Sequence, residues 1–281
     1  MKQFNIIIIS LLLVLVSCGS KTNKKTEITE SLKIVSLVPS ITKNLVYLGM
    51  EESIVGATSY CNITADKPEL IVGTAIDVNE EKVMALSPNI VFYSTLTKPA
   101  TVDMLKKLGI KTHLIGKTHS FDEICAQFME IGRIVKKEEK ATVIIAEKKR
   151  VVDSLKALVP VMANKPKVFF QIGAKPLFSV LPNTFMDDYI TFAGGVNMAS
   201  DMTKGTITRE SVLLRNPDVI IVVTMGMVGE EEKENWKNYK ELNAVKKNQI
   251  FIVESDVACT PTPVSFTKTL ERIISDLYGN D

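Results

Sequence analysis

The sequence has little histidine and tryptophan, and it lacks the short motifs that mark several enzyme classes. Its 281 residues include two histidines, one tryptophan and four cysteines. No G-x-S-x-G, G-x-G-x-x-G, G-x-x-x-x-G-K-[ST] or H-E-x-x-H motif occurs in the chain. Such motifs expose a nucleophile on a sharp turn, bind phosphates with backbone amides, or hold zinc on one helix face. The sequence therefore predicts no catalytic residue, no cofactor and no enzymatic activity.

Two further kinds of site, a metal site built on histidines and a nucleic-acid-binding surface, are not supported by the sequence. His113 lies in a predicted strand and His119 in the loop that follows. Two histidines do not complete the three-histidine set of a tight zinc or manganese site, so we predict structural roles for both and no metal site. With 34 basic and 32 acidic residues the net charge is +2, and this balance gives no electrostatic footprint of a nucleic-acid partner.

The apolar run at the N-terminus is too short for a membrane span. It covers Phe4 to Ser17, which is 14 residues, whereas a span needs roughly 20. A run of this length after a positive start is typical of a signal peptide, and we predict one over residues 1–17. The ending Leu15 to Gly19 (LVSCG) resembles the lipobox of bacterial lipoproteins. That resemblance implies that Cys18 is lipidated; an ordinary cleaved signal is the alternative.

The residues after Cys18 and the three other cysteines indicate an exported domain on a tether. Residues 18–33 are mostly polar, which predicts a lipidated cysteine followed by a flexible segment. Cys125 falls at an apolar position of a predicted helix, which indicates a buried thiol. Cys61 and Cys259 lie in predicted loops. Export permits a disulfide between these two, and whether it forms is left open.

Strands and helices alternate through short connections in both halves of the chain. The apolar run Ile34–Val38 predicts a strand, and Ser40 is the expected cap of a helix that stops at Gly49. Further predicted elements are the strands Ile54–Ala57, Ile90–Tyr93, Lys111–Ile115 and Lys167–Ile172 and the helices Glu80–Leu86 and Pro99–Leu108. This alternation is typical of an α/β fold with mostly parallel sheets.

Two consecutive helices without an intervening strand separate the halves. They are predicted at Phe121–Val135 and Glu138–Leu158, and the second is about 30 Å long at 1.5 Å per residue. We therefore predict two α/β lobes, at 34–137 and 166–281, joined by one long interdomain helix at 138–160. A single continuous sheet is the alternative.

The halves also repeat one local pattern. Glu81 and Glu210 each lie in the first turn of a short predicted helix, and each is followed seven residues later by a proline and then an apolar strand. A glutamate in a first turn is explained by the helix dipole alone. Its duplication 129 residues apart, one copy in each half, favours a shared function.

An ordered series of segments resembles the helical-backbone substrate-binding proteins of ABC importers, and among them most closely the group that binds vitamin B12, haem or ferric siderophores. The resemblance extends from Ile34 to the C-terminus. It is carried by Ile34–Thr42, Leu48-Gly49, Ile54–Asn62, Gly73, Asn79–Lys82, Ala85–Pro88, Ala193–Asn197, Thr208–Glu210, Asn216–Asp218 and Ala244–Lys246.

The resemblance implies a cleft between lobes, small closure around a rigid helix, and a partner composed of a permease with its ATPase subunits. It implies that Glu81 and Glu210 dock with arginines of the permease; Glu80 adjoins Glu81 and is the alternative on its lobe. A monomeric carrier held at a membrane by its N-terminal lipid is expected, in the periplasm or at the cell surface.

Ligand contacts are implied at four positions. Tyr60 matches an aromatic that packs on a flat macrocycle, and Pro39 and Ser40 begin a helix whose amides are expected to face the cleft. Trp236 lies near a family region that supplies a cleft aromatic; packing of one helix onto its lobe is the alternative.

The sequence departs from the family at two places that bear on the ligand. Lys43 replaces a glutamate, and Cys259–Val264 (CTPTPV) replaces a loop that often carries two arginines. We expect a corrinoid as the ligand, with haem or a ferric siderophore as the alternative. An exported α/β enzyme and a structural surface lipoprotein are rival interpretations from other classes.

Overall fold

The computed structural model of the protein describes residues 32–224 and 228–279. The predicted signal peptide, Cys18 and nearly all of the tether lie outside the described residues. Within the described ranges, no helix is both long enough and apolar enough to cross a membrane.

Nine strands and twelve α-helices make up the described part of the chain. The strands are β1 (Ile34–Ser36), β2 (Ile54–Ala57), β3 (Ile90–Tyr93), β4 (Lys111–Leu114), β5 (Lys167–Ala174), β6 (Leu177–Ser179), β7 (Val196–Asn197), β8 (Val219–Thr224) and β9 (Ile250–Glu254). The helices are α1 (Pro39–Tyr47), α2 (Ile63–Asp66), α3 (Glu80–Leu86), α4 (Pro99–Lys107), α5 (Phe121–Ile134), α6 (Glu138–Ala157), α7 (Phe185–Phe192), α8 (Arg209–Arg215), α9 (Val228–Lys237), α10 (Asn243–Lys246), α11 (Ser255–Ala258) and α12 (Pro263–Tyr278).

The strands form two separate sheets, which confirms the predicted α/β class. The first has the order β2-β1-β3-β4 with all pairs parallel, and we call it and its helices the N-lobe. The second has the order β6-β5-β8-β9, with β7 also on β5, and it forms the C-lobe. Its pairs are parallel apart from β5 with β6. Strands with both faces covered by helices read as continuous apolar runs, as Val219 to Val223 does.

Two helices, not one, contribute to the cores of both lobes. The N-terminal half of α5 packs Phe121 and Ile124 into the C-lobe core, and its C-terminal half packs Phe128 into the N-lobe core. The 20-residue α6 does the same in the opposite direction, with Ala141 in the N-lobe core and Val152 in the C-lobe core. The structure thus adds α5 to the long helix that the sequence predicts between the lobes.

Helix α1 begins two residues earlier than the sequence predicts, because the residue at its cap position is Val38 and not Ser40. Val38 is the residue before the first turn, Pro39 is the first helical residue, and no side chain caps the helix. Proline suits this position because its missing N–H is one that a helix start leaves unbonded. Ser40 is therefore inside the first turn and not its cap. The predicted stop is confirmed, since Gly49 has a φ of +75° just beyond the last turn.

The three cysteines within the described residues are free thiols. Cys125 is buried in the C-lobe core, as predicted, and burial raises its pKa to about 12. Cys61 is buried in the N-lobe, where its Sγ lies 3.2 Å from the hydroxyls of Thr42 and Thr58. Cys259 is exposed, and no disulfide joins it to Cys61 in the structure.

Candidate ligand cleft and docking helices

The carboxyl ends of the two sheets meet at a contact between α1 and α11. Helix α1 follows β1 at the edge of the N-lobe sheet, and α11 follows β9 at the edge of the C-lobe sheet. Lys43 on α1 donates from Nζ to the backbone carbonyl of Asp256 on α11 at 2.9 Å, and the same Nζ lies 3.8 Å from Oδ2 of Asp256. Ligands of parallel α/β sheets bind outside the carboxyl ends of the strands. The candidate cleft therefore lies along these two edges.

The N-lobe side of this edge contains three of the predicted ligand positions. Pro39 is half-buried and lines a cavity of about 350 Å³ beside α1, together with Lys43. Ser40 is buried inside the first turn. Tyr60 is 71% exposed and follows β2, so it lies at the same sheet edge as the start of α1. Tyr60 also lines a neighbouring cavity of about 530 Å³.

The C-lobe side has its own cavity at the ends of β5 and β8. It measures about 500 Å³ and we call it the C-lobe cavity. Its wall combines apolar residues with charged and amide side chains. The residues that line it are Gln171, Ile172, Gly173, Ala174, Lys175, Pro176, Val222, Val223, Glu231 and Glu232.

Trp236 lies behind this cavity, inside the C-lobe core. Its side chain has no exposed surface, its ring meets Phe169 edge-on at 5.7 Å, and the guanidinium of Arg209 lies 4.6 Å from the ring centre. The indole Nε1 donates to Oε1 of Gln171 at 2.7 Å. This placement corrects the prediction that Trp236 contacts the ligand, because a ring without exposed surface offers no face to one. The alternative, packing of one helix onto its lobe, describes what the structure shows.

A buried polar cluster surrounds that tryptophan, and the sequence analysis did not identify it. The carboxylate of Glu232 is 3% exposed; it accepts from Nη2 of Arg209 at 2.7 and 2.8 Å and from Nε2 of Gln171 at 3.0 Å. Burial raises the pKa of Glu232, but the hydrogen bonds from Gln171 and Arg209 outweigh burial and hold the pKa below its ordinary value. One signal in the sequence was available: Gln171 interrupts the otherwise apolar strand KVFFQIGA.

The two repeated glutamates occupy equivalent positions on equivalent helices. α3 and α8 each have seven residues, and each glutamate is the second residue of its helix. The side chains of Asn79 and Thr208 cap the two helices, accepting from the third residue of each at 2.8 and 3.2 Å. Both helices end in a left-handed residue, with φ of 48° and 45°. Glu81 and Glu210 are both exposed.

The residue before each glutamate is bound to the body of its lobe. Glu80 is half-buried and its Oε1 accepts from the Thr101 hydroxyl at 2.6 Å, whereas Glu81 has no such partner within the described residues. In the C-lobe the corresponding residue is Arg209, bound to Glu232. Hydrogen bonds from its own backbone amide and from Thr208, with Arg209 nearby, hold the pKa of Glu210 below its ordinary value. Glu210 is therefore a firmly ionised surface carboxylate.

The histidines take part in local contacts. His113 Nε2 lies 3.0 Å from Oε1 of Glu130, and His119 Nδ1 lies 3.0 Å from the carbonyl oxygen of Asn183. Across residues 32–224 and 228–279, no group of three or more histidine, cysteine or acidic side chains is placed to hold a metal ion.

Comparison with known proteins assigns this architecture to a protein family. The family model described as periplasmic binding protein matches residues 34–257, which is most of the chain. The chain belongs to the periplasmic binding protein family, and its fold and relatives are those of the substrate-binding proteins of ABC importers.

Particular relatives agree with this family. The chain is 26% identical over 258 residues to an uncharacterized ABC transporter substrate-binding lipoprotein, YvrC of Bacillus subtilis, covering 89% of this chain and 81% of the relative. It is 23% identical to a vitamin B12-binding protein of Vibrio parahaemolyticus, covering 86% of each. A solved structure of a possible iron-binding (periplasmic solute-binding) protein from Staphylococcus epidermidis superposes with a TM-score of 0.75 at 28% identity, covering 88% of this chain and 98% of that one.

Proposed function

We propose that this protein is the extracytoplasmic substrate-binding lipoprotein of an ABC importer that captures cobalamin or a related corrinoid. It is anchored through Cys18, binds its ligand at the facing sheet edges, and docks on the permease through Glu81 and Glu210. It acts as a monomeric carrier without catalysis, and transport energy comes from the ATPase subunits of the importer.

The observation that carries the corrinoid proposal is the exposed Tyr60 at the carboxyl edge of the N-lobe sheet. A large aromatic side chain that is 71% exposed beside a cleft offers a flat apolar face to a macrocycle. Covering one face of this ring contributes about 2 kcal/mol, or about 30-fold in Kd, at 25 cal/mol per Å². The vitamin B12-binding relative, which aligns over 86% of each chain, supports the same ligand class.

The matched geometry of α3 and α8 supports the docking proposal. Two exposed carboxylates at the same position of two capped helices, one in each lobe, suit a partner that presents an arginine to each lobe. Glu81 is favoured over Glu80 because the carboxylate of Glu80 already accepts a hydrogen bond from Thr101.

An iron chelate is the second candidate ligand. The similarity at 28% identity to a possible iron-binding protein favours it, as does the replacement of the family arginines by Thr260 and Val264. Haem and a ferric siderophore both belong to this alternative.

A titration separates the candidates. Residues 19–281 are titrated calorimetrically with cyanocobalamin, cobinamide, haemin and a hydroxamate siderophore, and corrinoid binding with a Kd below about 1 µM is expected. Tyr60→Ala should weaken it about 30-fold, whereas Tyr60→Phe, the matched control, keeps the ring and the affinity. Haemin binding at this affinity without corrinoid binding refutes the corrinoid assignment, and binding of none of the four refutes the ligand proposal.

Docking is tested by uptake in cells. Glu81→Ala and Glu210→Ala should each reduce uptake, and the double variant should abolish it while ligand affinity in vitro stays normal. The variant Glu139→Ala/Glu271→Ala removes two other exposed carboxylates and serves as the charge-matched control. Normal uptake by the Glu81→Ala/Glu210→Ala variant refutes the docking role.

A further inference from the structure

The buried cluster of Gln171, Arg209, Glu232 and Trp236, which we call the Arg209 cluster, connects two surfaces of the C-lobe. Gln171 and Glu232 line the C-lobe cavity. Arg209 is the first residue of α8 and directly precedes the exposed Glu210. One guanidinium therefore joins the cavity wall to the first turn of the helix that carries the proposed docking acid.

The contacts within the cluster hold this guanidinium in one orientation. Nη2 donates to both carboxylate oxygens of Glu232, and the plane of the guanidinium stands over the Trp236 ring. Trp236 is fixed in turn by its hydrogen bond to Gln171, which also donates to Glu232. Because each side chain contacts two others of the cluster, through hydrogen bonds or the packing of the guanidinium on the indole ring, a displacement of Glu232 changes the position of Arg209 as well.

The opposite end of α8 is held in a different way. There Arg215 donates to Oδ1 and Oδ2 of Asp201 at 2.7 and 3.0 Å, and to the carbonyl of Met198. Neither Arg215 nor Asp201 lines the C-lobe cavity. In the N-lobe, the counterpart of Arg209 is Glu80, which bonds Thr101. The link between cavity and helix start is therefore a property of the Arg209 end of α8.

We propose that Arg209 is a positioning residue that transmits a change at the Glu232 wall of the C-lobe cavity to the first turn of α8, where Glu210 lies. The inference rests on the proposed function for the docking role of Glu210. A ligand that enters the cavity and moves Glu232 would then alter the docking surface of the C-lobe. No step requires contact between the ligand and α8.

The test substitutes Glu232, in the wall of the C-lobe cavity, and measures the effect at Glu210 and the first turn of α8. In Glu232→Gln the charge of Arg209 is no longer neutralised, so its attraction for the Glu210 carboxylate grows and the pKa of Glu210 should fall, as measured by carbon-13 NMR titration. In the same variant the first-turn amides of Ser211 and Val212 should exchange about tenfold faster, since local opening becomes easier. Asp201→Asn is the matched control, because it breaks an arginine–carboxylate pair on the same helix; neither readout should change.

A mutant cycle shows whether Arg209 carries the effect. In the background Arg209→Gln, the further change Glu232→Gln should leave the amide exchange of the first turn of α8 unaltered. The pKa of Glu210 still falls there, because the loss of a negative charge acts through space in either background, so amide exchange is the deciding readout. If Arg209→Gln alone does not fold, because it leaves a buried carboxylate unpaired, the double variant contains no buried charge and is compared directly with the parent. The pKa of Glu210 should then be higher than in the parent, opposite to the effect of Glu232→Gln.

Several results would overturn the proposal. They are an unchanged amide exchange of the first turn in Glu232→Gln, the same exchange response in Asp201→Asn, or an exchange response to Glu232→Gln that persists without Arg209. All three measurements use the protein without any ligand or permease. A failure of the proposed function, seen in the titrations and uptake assays above, is therefore distinguishable from a failure of this inference.

Discussion

Replacing Lys43 by methionine should weaken the contact between the two lobes. Lys43 donates to a backbone carbonyl at 2.9 Å and lies 3.8 Å from a carboxylate oxygen, both of Asp256. The lysine side chain is 21% exposed and that of Asp256 is 55% exposed. Methionine keeps the length of the aliphatic stem but removes the charge and the donor.

The two parts of this contact differ in strength. A charge-assisted hydrogen bond contributes about 1.5–3 kcal/mol when well buried, and partial exposure reduces this to about 1–2 kcal/mol here. The pairing with the exposed carboxylate contributes about 0.5 kcal/mol or less. Lys43→Met should therefore lower the free energy of unfolding by about 1–2 kcal/mol, whereas Asp256→Asn should lower it by about 0.5 kcal/mol or less, because the backbone acceptor remains.

Equilibrium urea unfolding of both variants measures this difference. The slope of free energy against urea should stay the same, since the core is untouched and only the midpoint moves. In 1 M salt, where the screening length is about 3 Å, the small Asp256→Asn effect should vanish and most of the Lys43→Met effect should persist. Equal losses in the two variants, or no loss in Lys43→Met, would refute the reasoning.

Three further outcomes follow from the C-lobe core. Trp236→Phe should cost about 1–3 kcal/mol of unfolding free energy in urea, because it leaves the buried Oε1 of Gln171 without its donor; a loss below about 0.5 kcal/mol would contradict this. The folded pKa of Glu232 is lower than the value of 4.5 for the free side chain, so its stabilising contribution is complete above that value and is lost as pH falls through the folded pKa. Melting temperatures between about pH 6 and pH 3 should fall less steeply in Glu232→Gln than in the parent, and parallel curves would exclude the effect. For residues 19–281, Ellman's reagent at about pH 8 should modify Cys259 before Cys125, because the Cys259 side chain is exposed even though partial burial raises the pKa of its thiol. Cys125, whose thiol pKa burial raises to about 12, should react after unfolding in urea; reaction of Cys125 as fast as Cys259 in the folded protein would show that it is not buried.

Local patterns along the chain determined the elements and the class of fold. The strands Ile54–Ala57 and Ile90–Tyr93 and the helix Glu80–Leu86 have the predicted bounds, because apolar runs, proline and glycine signals act over a few residues. The first-turn positions of Glu81 and Glu210 were also readable, since a capped seven-residue helix before a proline and a strand is a local pattern that occurs twice.

The environment of each side chain was decided by the tertiary structure. Whether Trp236 faced a cleft or a core depended on Gln171 and Arg209, which lie 65 and 27 residues away along the chain and become neighbours only after β5, α8 and α9 pack together. Lys43 and Asp256 are 213 residues apart, so no local pattern could pair them.

The division of α5 between two cores has the same origin. Its sequence shows one continuous apolar face, with Phe121, Ile124, Phe128 and Ile131 on it. Which half of that face meets which lobe depends on where the two sheets lie. Short-range periodicity therefore determined that the helix is amphipathic, and long-range packing determined that it joins the two lobes.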